Sequence, residues 1–374
     1  MKLAIIRRKY NAFGGAELFI ERMIKRLCEM DIQTTIISEH WPGVRGELPM
    51  VLRAPVSGFS RTRRLLSFKS SVQRILTDSP FDLTQSHERL PGVDVHRLGD
   101  GVHLAWVQRL LRNRGLWKSR WINFDPYHRA VIDLEKEMAL DQRLHYVANS
   151  QLVREELQEF LSVSSERISL IPNGVDTAYF VPATEEKKYS ARAMFSIPDG
   201  ALSICFIGSG FNRKGVRELV YAMRFLPNAV LRICGKDKDS DELRTLIEKE
   251  GLAQRVVYVG ALSDVRPLLW ASDLFALPSL YDPSPNAVLE ALACGLPVIS
   301  TRDIGTATDI VKSGAGALCE RDPESIAQAL KEVAIKLEQN EASKKARQLS
   351  QTFEQGHVTQ MWLNFYEKRL LEKG

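Results

Sequence analysis

KLAIIRRKYNAFGGAELFIERMIKRLCEMDIQTTIIS, residues 2–38, decides the fold. It opens on a short apolar run with no polar alternation, the pattern of a strand buried on both faces. A loop with paired glycines, KYNAFGGAE, comes next, then ELFIERMIKRLCEM with apolar residues at helical spacing, then the run IQTTIIS. Strand, glycine loop, helix and strand in that order begin a doubly wound α/β sheet.

A second such set starts at residue 202, LSICFIGSGFNRKGV: buried strand, glycine-containing loop, then the helix RELVYAMRFL. AVLRICG, VVYVGAL, DLFALPS and LPVIST read as further short strands, with helices DELRTLIEKEG, VRPLLWAS and NAVLEALACG between them. A chain of 374 residues is long for one core and suits two domains. The expected division is 1–175, 176–352 and a C-terminal helix over 353–374, with a hinge in 173–182. LHYVANSQLVREEL reads as a strand followed by a helix capped by Ser150. Residues 53–145, rich in Arg, Trp and His, show no clean periodicity. Cys28, Cys205, Cys234, Cys294 and Cys319 form no CxxC pair, which argues against a zinc site or a disulfide framework and for buried thiols. MKLAIIRRKY lacks the apolar length of a signal peptide, and no run approaches the ~18 apolar residues of a membrane span. A cytoplasmic protein is expected.

The loop GSGFNRKGV fits neither familiar phosphate motif. Arg213 stands where GxGxxG needs its third glycine, and Val216 follows Gly215 where a P-loop needs Lys. What it offers is adjacent Arg213 and Lys214 beyond a strand's carboxyl end, where open α/β sheets bind ligands. Two cations there suit a diphosphate without a metal; the competing reading is a solvated surface pair. YDPSPNAVLEALACGLP, residues 281–297, adds to the first reading. Pro285 suits a helix start, and the first amides of the helix from Asn286 favour phosphate oxygens. Glu290, one turn inside an otherwise apolar helix, suits the two hydroxyls of a ribose. Asp282, just outside, suits hydroxyls of a sugar beyond the phosphates, with Asn286 beside it. In the competing reading Glu290 is a capping or salt-bridged residue and Asp282 forms a turn. Backbone groups of Val259 and Gly260 in VYVGAL offer a clamp for a base.

YDPSPNAVLEALACGLPVIS resembles the signature of retaining glycosyltransferases of the GT-B fold, family 4, in which seven residues separate two carboxylates. GSGFNRKGV is similar to that family's diphosphate loop, GGAE (14–17) to its N-terminal glycine loop, and IPNGVD (171–176) to its inter-domain turn. The first carboxylate is Asp282 here where the family has Glu, one methylene shorter. The resemblance implies two Rossmann-like doubly wound domains facing a cleft, with the C-terminal helix crossing back to the N-terminal domain through Trp362, Phe365 and Tyr366. It also implies diphosphate contacts from Gly14 and Gly15. RKYNAFGGAE and HERLPGVDVHRLGDGVH (87–103) are similar to lipopolysaccharide core glucosyltransferases. That likeness implies a UDP-sugar donor, a lipopolysaccharide core acceptor facing His87 and Asp100, no metal or other cofactor, and a place on the inner face of the cytoplasmic membrane.

LAWVQRLLRNRGLWKSRWINFDPYHR (104–129) interleaves basic residues with Trp106, Trp117 and Trp121. Together with Lys118 and Arg120 these suit an anionic membrane surface. A core helix with a solvated basic edge is the competing reading, and no nucleic-acid motif accompanies the segment. The Asp-Lys-Asp triplet in KDKDSDE (236–242) reads as a solvated turn. Two rival functions stand beside transfer: a UDP-sugar epimerase, and a silent nucleotide- or glycan-binding protein.

Overall fold

Apolar runs without alternation become parallel strands covered on both faces, and both halves of the chain use them in this way. The computed structural model describes residues 2–10, 24, 27, 32–41, 50–112, 125–337 and 341–372. The chain divides into two units, Met1–Pro172 with Thr359–Gly374, and Asn173–Val358.

The first unit holds a seven-stranded parallel sheet: β1 (Lys2–Ile6), β2 (Gln33–Ser38), β3 (Met50–Arg53), β4 (Leu83–Ser86), β5 (Val95–Leu98), β6 (His145–Ala148) and β7 (Ile168–Leu170). Their spatial order is β3-β2-β1-β4-β5-β6-β7. Helices Arg61–Asp78, Pro126–Leu140 and Gln151–Leu161 start on Ser60, Asp125 and Ser150, whose side chains accept first-turn amides. Ile6, Phe68, Tyr146, Val153 and Leu157 form its core. The helix Gln355–Leu371 ends in this unit and buries Trp362, Phe365 and Tyr366. The Tyr366 hydroxyl donates to Gln85 Oε1 at 2.9 Å, satisfying an amide that β4 carries wholly inside.

The second unit holds a six-stranded parallel sheet: β8 (Leu202–Ile207), β9 (Ala229–Cys234), β10 (Val256–Gly260), β11 (Leu274–Leu277), β12 (Val298–Ser300) and β13 (Gly316–Leu318). Their order is β10-β9-β8-β11-β12-β13. Phe206, Phe275, Leu231 and Val298 meet Leu219, Leu289 and Leu330 from the covering helices. Cys205, Cys234, Cys294 and Cys319 are buried free thiols, and Cys28 lies outside the described residues. Among the described residues no helix is long and apolar enough to cross a membrane.

Candidate active site

Each sheet reverses its winding once, between β1 and β4 in the first unit and between β8 and β11 in the second. Loops leaving two such neighbouring strands diverge and leave a crevice at the carboxyl edge, the usual ligand position in open α/β sheets. In the second unit the loop after β8 carries Arg213 and Lys214, and the loop after β11 carries Asp282. The topology therefore brings the three residues together.

The contacts are direct. Asp282 Oδ2 lies 3.1 Å from Lys214 Nζ and 3.3 Å from Arg213 Nη1. Arg213 Nη1 also donates to the Tyr281 carbonyl. Asp282 is only 8% exposed. Burial pushes its pKa up, but the charges of Lys214 and Arg213 and their hydrogen bonds outweigh burial and hold the carboxyl below its ordinary range. Two backbone bonds pin the residue: its N–H donates to Asp303 O (3.1 Å), and its carbonyl accepts from Gly305 N (2.9 Å).

Close backbone approach makes this arrangement possible. Arg213 and Lys214 close a one-turn helix, Phe211–Lys214, that ends at Gly215 with φ +76°. A Cβ on Gly215 would stand 2.1 Å from the Pro278 carbonyl oxygen, so only glycine lets the two loops touch. Leu280 N then donates to Arg213 O at 2.8 Å, tying the loops together. On the other side Lys214 lies along Gly208, where a Cβ would come 2.9 Å from Nζ.

The helix Asn286–Ala293 begins beside this cluster at Pro285, with no side-chain cap on its first turn. Asn173, from the IPNGVD turn, donates to Asn286 Oδ1 (2.8 Å) and to Ser284 O (3.1 Å), fixing the helix entry. Glu290 stands one turn along and is half-buried. Val259 and Gly260 lie at the end of β10, the edge strand two places from β8, and the Gly260 carbonyl accepts from Gly235 N at 2.9 Å. The structure thus joins Arg213, Lys214 and Asp282, places Asn286 and Glu290 on the adjoining helix, and links Gly260 through Gly235 to Gly208 of the loop that carries the two cations.

Asp237 corrects the reading of its triplet as a solvated turn. Its Oδ2 accepts the amides of Gly210 and Phe211, the latter at 2.9 Å, and so caps the turn that presents Arg213 and Lys214. Burial raises its pKa, while bonds from Asp239, Phe211 and Gly210 win and lower it. An acid after a strand gives no sign in sequence of which distant amides it will meet. Among the described residues no group of three or more His, Cys, Asp and Glu is placed to hold a metal.

At the reversal in the first unit, His87 follows β4 and its N–H donates to Ile6 O at 2.9 Å. Its ring is buried, with Nε2 3.1 Å from Gln85 Nε2. Gln85 gives its oxygen to Tyr366, so its amide nitrogen donates to His87, which is then neutral with the proton on Nδ1. Burial, then the charges of Arg97 and Arg7, push the His87 pKa well down. Asp100 is exposed after β5. Trp106 is half-buried on helix His103–Arg112, while Gly14, Gly15, Trp117, Lys118, Arg120 and Trp121 lie outside the described residues.

Two parallel-sheet Rossmann-like units are the architecture of the GT-B class. The family "Glycosyltransferase Family 4" matches residues 13–179, and "Glycosyl transferases group 1" matches residues 188–353. The chain belongs to these glycosyltransferases. Over 332 residues it is 24% identical to the lipopolysaccharide glucosyltransferase WaaG of Escherichia coli K12, covering 85% of each chain. The crystal structure of WaaG, a glycosyltransferase involved in lipopolysaccharide biosynthesis, superposes with a TM-score of 0.82 at 20% identity, covering 97% of this chain and 99% of that one. Anabaena HepE, solved with UDP-glucose, superposes with a TM-score of 0.74 at 18% identity, covering 98% and 100%.

Proposed function

We propose that the protein transfers a hexose, glucose, from a UDP-sugar to a hydroxyl of the lipopolysaccharide core, with retention at the anomeric carbon and without a metal. The observation that carries this reading is the contact of Asp282 with both Arg213 and Lys214 beside an uncapped helix start. Relatives support the particulars: WaaG is a lipopolysaccharide glucosyltransferase, and HepE has been solved with UDP-glucose.

In this account negative charge grows on the departing diphosphate. Arg213 and Lys214, the first amides of the helix from Asn286 and the amides of Gly14 and Gly15 stabilise it, an electrostatic contribution that commonly dominates catalysis. Glu290 holds the ribose, the backbone at Val259 and Gly260 meets the base, and Asp282 with Asn286 orients the sugar. A leaving-group oxygen takes the acceptor's proton, so no separate base and no covalent sugar–enzyme intermediate are invoked. His87 and Asp100 face the acceptor. Trp106, Trp117, Lys118, Arg120 and Trp121 rest on an anionic membrane surface at the cytoplasmic face, where a lipid-anchored acceptor is reached.

The test is the double variant Arg213→Ala, Lys214→Ala. Loss of turnover with circular dichroism and melting unchanged is expected; retained turnover would remove the pair from the diphosphate.

A further inference from the structure

We propose that Asp282 is the internal counter-anion of the diphosphate cradle, and that it sets a preference for the sugar-bearing donor over the bare nucleotide product. The inference rests on the reading of Arg213 and Lys214 as diphosphate ligands.

One carboxylate oxygen, Oδ2, is shared by Lys214 Nζ at 3.1 Å and Arg213 Nη1 at 3.3 Å. The main chain of Asp282 is held on both sides by Asp303 and Gly305, and an aspartate has a single methylene with which to reach. The carboxylate is therefore the fixed partner. The cations are the movable ones, with long stems and, for Arg213, a side chain 35% exposed.

A diphosphate entering the cradle has the same sign of charge as Asp282. It gains the two cations only as they loosen their hold on the carboxylate, and a nearly buried carboxylate stripped of partners is costly. A donor sugar relieves that cost, because its hydroxyls can donate to the freed oxygen. A bare nucleoside diphosphate brings no donor to that place. Asp282 thus opposes the product, admits the donor, and takes Lys214 and Arg213 back once the nucleotide leaves.

The measurement is titration calorimetry of UDP and of UDP-glucose with the full chain and with Asp282→Asn, which keeps shape and removes charge. UDP is expected to bind the variant about tenfold tighter, the scale of one charge-assisted contact. UDP-glucose should tighten less, so the preference for the donor falls. A residue that merely supports the loop cannot raise affinity when it is replaced. Asp282→Ser removes the same charge and decides the matter if the Asn variant melts early. UDP bound by the parent chain but no tighter by either variant overturns the counter-anion role and leaves the nucleotide site standing. No UDP binding by the parent chain overturns both.

Discussion

Mild acid should loosen the first unit before the second. Burial pushes His96 and His103 down to about 3 each, with the nearby Arg89 charge adding to both and the His128 charge to His103. His145 is lowered to about 4, first by burial and then by Arg369, Lys368 and Arg167. His87 and His128 are lowered as well, and all five belong to the first unit. A folded value below the ordinary 6.5 means that the unfolded chain binds protons the native one refuses. The stability these histidines confer is complete above pH 6.5 and falls as the pH drops toward their folded values. At pH 5 linkage gives about 2 kcal/mol lost for each of His96 and His103, or about 4 kcal/mol for the pair. That is a large share of the roughly 5–15 kcal/mol that holds a domain folded. Among the shifted acids of the second unit, Asp237, Asp264, Asp282 and Glu341 are lowered carboxylates that keep their charge in this window, while Asp309, raised by burial, adds stability as the pH falls. Hydrogen exchange read by mass spectrometry at pH 7.5 and pH 5, corrected for intrinsic rates, separates the units. Peptides from β1, β4, β5 and β6 should lose protection while those from β8, β9 and β11 keep it. Equal protection at both pH values, or loss shared by both units, would refute the reasoning.

Three further outcomes follow from the site. Gly215→Ala must relieve a 2.1 Å approach to the Pro278 carbonyl as well as a left-handed backbone, whereas Gly251→Ala at φ +67° meets nothing within 4 Å. Urea unfolding should place the Gly215 variant about 2–4 kcal/mol below the parent and the Gly251 variant only about 1 kcal/mol below; equal losses would contradict the contact. Glu290→Ala should weaken UDP binding by about tenfold or more in calorimetry, and unchanged affinity would take it off the ribose. Replacing Trp117 and Trp121 with Ala should reduce flotation on anionic vesicles, and undiminished flotation would return that stretch to the core reading.

The second sheet was legible because its strands are short apolar runs between turns, and FIGSGFNRKGV and YDPSPNAVLEAL stand at their carboxyl ends. Ser150 and Pro285 marked helix starts correctly: Ser150 caps its helix, and Pro285 sits at the cap position, one place before the first turn. Residues 53–145 resisted because the strands there bury polar side chains. β4 is LTQS and β5 is VHRL, all eight positions buried. Gln85 is tolerated inside because Tyr366 answers it from 281 residues away. His96 is tolerated because burial keeps it neutral beside Ser86 O. Such partners are far apart in the chain, so no local period betrays the strand. The role of Asp237 was hidden for the same reason, its amides lying 26 and 27 residues upstream.

The central claim, hexose transfer from a UDP-sugar, is tested most directly by UDP release. The purified chain would be given UDP-glucose, UDP-galactose, UDP-N-acetylglucosamine or UDP-glucuronate in EDTA, with and without truncated core lipopolysaccharide. Release from UDP-glucose that depends on the acceptor is the expected result. Binding of UDP with no acceptor-dependent release from any of the four donors, or conversion of a UDP-sugar without acceptor, would contradict the account.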